Sequence, residues 1–135
     1  MYRVYQFQVT TPPSTEIATP LSTAWPLDDG SLISVNLIIP PGHNGLTGFR
    51  ILMAEQEILP WGSSGWIIGN DRNVNYPVNT EISGTELAIQ TYNTDIWQHT
   101  HYLEAVLDPL GAVSATSTTV QMPIASVDLS GTLGV

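Results

Sequence analysis

Proline and glycine punctuate this chain from end to end, ten of one and eleven of the other, and leave no room for a long helix. Proline removes a backbone donor and fixes φ, and glycine loses the most freedom in any regular element, so each marks a boundary. Only Leu52–Leu59 has helix-forming composition, and Pro60 stops it. A helix that short is marginal in water. The run reads instead as the end of one strand, a polar turn near Glu55–Gln56, and the start of the next.

What remains between the breakers has the period of strands. Tyr5, Phe7 and Val9 share a face within 2–9, and Ile33, Val35, Leu37 and Ile39 share one within 32–39. Phe49, Ile51 and Met53 point one way within 46–53, with Arg50 on the other side. Trp66-Ile67-Ile68 reads as a short buried segment, 86–92 alternates Leu87 and Ile89 with Ala88 and Gln90, and 101–107 is apolar on both faces. Thr-rich 116–122 suits a half-exposed strand. Asp28-Asp29-Gly30, Pro41-Gly42 and Asn44-Gly45 are turn sequences. About eight short strands with turns between them predict an all-β fold, an antiparallel two-sheet β-sandwich of the jelly-roll kind among others.

One domain over 1–135 is expected, with its core at about 28–122 and Ile33, Val35, Leu37, Phe49, Ile51, Leu87, Ile89 and Leu103 inside it. Residues 10–27 hold Pro12, Pro13, Pro20 and Pro26 and read as an extended segment outside the core. Residues 123–135 keep apolar side chains without a core pattern and read as a C-terminal tail. Leu129, Leu133 and Val135 are the tail residues expected to lie on a neighbouring subunit.

Charge then narrows the function classes. The chain has no lysine, and its only cations are Arg3, Arg50 and Arg72, so the net charge is -9. A phosphate backbone or an anionic membrane surface would be repelled, and neither nucleic acid nor membrane is expected as a partner. Charged residues make up 11% of the sequence against a usual quarter, while 42% are hydrophobic. A surface built from Thr, Ser, Asn and Gln can pack on another surface without first desolvating charge, which suits a subunit of an assembly. Without cysteine there is no disulfide, thiolate metal site or thiol nucleophile. The first residues lack the basic segment and apolar run of a secretory signal, so synthesis and retention in a cytoplasm, or incorporation into a particle, is expected.

Few residues could carry chemistry. His99 and His101 lie two apart on a strand, so both imidazoles could reach one metal, with Asp95, Glu104 or His43 as a third ligand. The competing reading is a hydrogen-bonding pair at a strand start, and no metal or other cofactor is expected. Asn70-Asp71-Arg72-Asn73-Val74-Asn75 has oxygen donors but lacks the glycine and closing acid of a calcium loop, and reads as an Asx-rich turn. No nucleophile elbow, phosphate loop or pocketed carboxylate pair is present, so no catalytic residue is assigned. Of the four tryptophans, Trp66 reads as core and Trp61 as a cap, while Trp25 and Trp97 are the interface candidates.

The stretches Ile39-Pro40-Pro41-Gly42-His43-Asn44-Gly45-Leu46-Thr47-Gly48, Ile58-Leu59-Pro60-Trp61-Gly62 and Tyr92-Asn93-Thr94-Asp95 resemble loops of small virion proteins of tailed bacteriophages. The likeness spans about residues 28 to 107. It implies a β-rich accessory subunit of head, neck or tail, present in many copies and without enzymatic activity, and it transfers no catalytic residue. The functional expectation is therefore a structural virion subunit, made in the host cytoplasm, that clamps copies of itself and neighbouring virion proteins by non-covalent packing. Two rivals stand beside it: a module on the particle surface that recognises a glycan or receptor through exposed aromatics, and a metal-dependent enzyme built on His99 and His101.

Overall fold

The structure is a computed structural model that describes residues 2–60 and 65–109. No helix occurs among them; eight strands do. In chain order they are β1 (Arg3–Thr11), β2 (Leu21–Trp25), β3 (Gly30–Ile39), β4 (Thr47–Met53), β5 (Gln56–Leu59), β6 (Arg72–Ile82), β7 (Leu87–Asn93) and β8 (His99–Pro109). They form two antiparallel four-stranded sheets, ordered β1-β8-β3-β6 and β2-β7-β4-β5. The expected two-sheet sandwich is present.

The pairings nest. β4 pairs with β5, β3 with β6, β2 with β7 and β1 with β8, so the described strands form one long hairpin rolled into two layers. That is the jelly-roll order. Its innermost turn is Ala54–Glu55, both residues with positive φ (50° and 67°), as a tight two-residue hairpin turn requires.

The inner faces meet in a single core. Val35, Leu37, Phe49, Ile51, Leu87, Ile89 and Leu103 are all buried there, with Leu32, Ile39, Leu59 and Leu107. Each such side chain contributes about 1.5–3 kcal/mol by leaving water. Ile33 differs from expectation: it is only half-buried, and Leu32 takes the inward place. The register shifts between Leu32 and Ser34 on both sides of β3, and one extra residue in a strand reverses the facing of all that precede it.

The proline-bounded 10–27 segment also differs from its reading. Leu21–Trp25 is β2, in register with β7 from Leu21↔Thr91 to Trp25↔Leu87, and it belongs to the sandwich. Trp25 is 3% exposed and stacks on Phe7, with ring centroids 6.1 Å apart. It is a core residue of its own chain and has no face left for an interface. The Asx-rich stretch after Asn70 is a turn only at Asn70–Asp71; from Arg72 onward it is β6. Leu129, Leu133 and Val135, the 116–122 strand and Trp61 lie outside the described residues.

Candidate assembly site: a histidine-backed loop

At one end of the sandwich the apolar core gives way to a buried polar layer of Thr11, His43, Thr47, Thr91, Asn93 and His101. Several elements supply it. His43 hangs from the β3–β4 loop, whose shape is held by the Asn70 Oδ1, which accepts from the backbone N–H of Gly42 and of Asn44 (2.9 Å each). His99 and His101 lie on the inward face of β8, as their spacing predicts.

The three imidazoles do converge. The His43 ring centroid lies 4.5 Å from that of His99 and 4.8 Å from that of His101. Yet the arrangement is one of stacked rings. His43 Nε2 donates to the Thr100 carbonyl (3.1 Å), which leaves Nδ1 as acceptor for the Thr47 hydroxyl (2.7 Å), so both nitrogens are engaged. Among the described residues no group of three or more His, Asp and Glu side chains is placed to hold a metal ion. Glu104, another ligand considered from sequence, lies apart and accepts from the Gln6 amide (3.2 Å).

His101 is the least comfortable member. It is 0% exposed, packs against Phe49 (5.4 Å between centroids), and neither ring nitrogen has a hydrogen-bond partner among the described residues. Burial, then the neighbouring His43 and His99, depress its pKa to about 3. Burial and His99 also lower that of His43, against the opposing pull of the Thr100 carbonyl. The cluster is therefore neutral at its buried positions at ordinary pH.

This layer fixes the loop between β7 and β8, residues 94–98. Asn93 is fully buried, and every polar atom of its amide bonds to backbone. Its Nδ2 donates to the carbonyls of Trp97 (2.7 Å) and Thr11 (3.2 Å), and its Oδ1 accepts from the Asp95 N–H (2.9 Å). Asp95 accepts from the Ile96 N–H (2.7 Å) and from His99 Nε2 (2.9 Å). The His99 bond first, and the Ile96 N–H after it, hold the Asp95 carboxyl below the usual carboxylate range. Thr94 bonds twice to the Leu46 carbonyl through its N–H and hydroxyl (2.9 and 2.8 Å), and the Ser14 N–H donates to the Asp95 carbonyl (3.1 Å).

The loop so held presents Ile96 and Trp97, 74% and 68% exposed. Ile17 and Leu46, also exposed, belong to the two segments bonded to it. Trp97 is thus placed at the surface, as an interface residue must be. What sequence reasoning missed is Asn93, which entered it only as part of the loop stretch Tyr92-Asn93-Thr94-Asp95. Trp66, read as core, is half-buried on the outer face of the second sheet, edge-on to Tyr92 (4.9 Å) and beneath Arg50 (4.1 Å).

No family model matches this chain, and no curated protein matches it. Among solved structures, one described as the crystal structure of FLHE aligns with a TM-score of 0.45 and 8% identity, over 78% of this chain and 96% of that chain. A likeness of that degree bears on neither fold nor function.

Proposed function

We propose that this chain is a non-enzymatic structural subunit of a particle, of the tailed-phage virion type, that docks on neighbouring subunits through Ile96 and Trp97. The observation that carries the reading is a tryptophan more than two-thirds exposed on a loop whose backbone is fixed from three directions. A large ring carried on a fixed backbone leaves only its own side-chain torsions to be ordered on binding, and buried tryptophans dominate interface energies. The scarcity of charge over the chain as a whole lowers the desolvation cost of docking. The virion, copies of the chain and neighbouring virion proteins are the setting and partners this proposal entails.

The test is Trp97→Ala. Purified particles assembled with the variant should hold little of the chain, as measured by mass spectrometry, while the melting temperature of the isolated chain stays unchanged. Normal incorporation of the variant, or particles that never contain the chain, would refute the proposal.

One observation favours a second reading. A groove of about 550 Å³ on the outer face of the first sheet is lined by the amides of Gln6, Gln8 and Asn36 with Tyr102, Ile38 and Glu104. Amides beside an aromatic ring suit a neutral saccharide. Binding to a glycan array that Tyr102→Ala abolishes would establish it.

A further inference from the structure

Each sheet of an open sandwich ends in two strands whose outer backbone groups have no partner, and folded proteins blunt such edges. Among the described residues three of the four edges are blunted. β2 has five residues between Pro20 and Pro26. β5 has four, with a register shift against β4. β6 carries Pro77 and a left-handed Asn79 (φ 52°) at an irregularity in its pairing with β3.

β1 has none of these devices. It runs nine residues in unbroken register, from Arg3↔Leu107 to Thr11↔His99, with no proline and no bulge. Its one charge, Arg3, sits at its end beside Asp28 (3.4 Å). On its inner face Tyr5 and Phe7 are only half-buried, although Phe7 stacks on Trp25.

We propose that β1 is a homodimerisation edge, pairing antiparallel with β1 of a second copy to make one continuous eight-stranded sheet. A two-fold axis normal to a sheet sets each residue opposite one whose number sums with its own to a constant, and the sum is even so that facing side chains share a side. Full overlap of residues 3–11 puts the axis at Phe7. Gln6 then faces the second copy's Gln8, Tyr5 faces Val9, Val4 faces Thr10, and Arg3 faces Thr11. No charge meets its like, amides pair on the outer face, and the half-buried Phe7 rings cover each other. This self-complementarity is what selects a copy of the chain over a foreign strand. The contact would measure about 30 Å along the strand and about 20 Å across the sandwich, close to 600 Å² per copy. That lies at the lower limit for a stable pair, so dissociation on dilution is expected.

The inference does not depend on the proposed docking loop, and the purified full chain tests it. Sedimentation velocity across a wide concentration range should show a monomer–dimer equilibrium. Gln6→Lys with Gln8→Lys sets like charges opposite each other on a solvent face, and should weaken dimerisation about tenfold or more without lowering the melting temperature. Because the chain has no cysteine, Gln6→Cys and Gln8→Cys chains can be mixed. They should cross-link with each other faster than either does with itself. A monomer at every concentration overturns the inference, including one whose β1 amides resist exchange because the chain's own segment covers them. So does a dimer indifferent to the two lysines, or one that Trp97→Ala abolishes.

Discussion

Acid should unfold this protein through His101, and replacing that one side chain should remove most of the effect. In the unfolded chain the imidazole titrates near 6.5; in the fold it is pushed down to about 3. Between those values the unfolded state binds the proton and the folded state does not, so stability falls as pH falls, by about 1.4 kcal/mol per unit. Above 6.5 there is no penalty. At pH 5 it reaches about 2 kcal/mol, and His43, whose pKa is also lowered, acts in the same direction. Asp95 adds to the loss only below its unfolded value of 3.8. For a domain of this size, about 2 kcal/mol corresponds to a melting temperature lower by roughly 8 °C. The assay is a series of thermal melts from pH 7.5 to pH 5 for the wild-type chain and His101→Leu, whose side chain suits a site lined by Phe49. The variant should keep the neutral-pH melting temperature or raise it, since two unpartnered nitrogens are removed, and should lose most of the slope. An unchanged slope in His101→Leu, or no slope in the wild type, refutes the reasoning.

Phe49→Ala, at the centre of the core with 0% exposure, should cost about 3–5 kcal/mol in denaturant unfolding. Gly48→Ala should destabilise the chain despite its small size, because the new Cβ would fall within the Tyr92 ring; a melting temperature equal to wild type would contradict that packing. Asn93→Ala removes the three hydrogen bonds that this buried amide makes to the backbone of Thr11, Asp95 and Trp97 and should cost about 2–4 kcal/mol, with increased mobility of Trp97 seen as lower fluorescence anisotropy.

Alternation makes β3, β4 and β7 legible, since each buries one face and the period-two pattern is the direct trace of that. β8, read as apolar on both faces, buries His101, Leu103, Ala105 and Leu107 on one face and leaves Tyr102 exposed on the other. β6 escapes a reading by composition, because Asn73, Asn75, Pro77 and Asn79 are turn residues by type. All four point outward on an edge strand, where proline and short polar side chains are tolerated. The inward set Val74, Tyr76, Val78, Thr80 and Ile82 carries the signal beneath them. β2 is obscured in the same way by flanking prolines that sit outside the strand itself. Ile33 shows a harder limit: a bulge shifts the phase of a strand without altering its composition, so no periodic reading detects it. At the site, the pairing of His99 with His101 follows from spacing alone. The approach of His43 and the bonding role of Asn93 do not, because the β3–β4 and β7–β8 loops meet only once both sheets are stacked.

The nested pairing of strands sets a timetable for synthesis. Among the described residues the last strand made, β8, is the partner of the earliest, β1, and it also separates β1 from β3. On a ribosome adding about 5–20 residues per second, β1 waits roughly 5–20 seconds for that partner. Throughout that interval Tyr5, Phe7 and Val9 remain uncovered, and polysomes would hold many such unfinished chains close together. The absence of charge between Val4 and Thr11 offers them no mutual repulsion. Yield in the cell is therefore governed by what shields the nascent first strand, and slowing translation should reduce soluble protein even though the finished fold is unaltered.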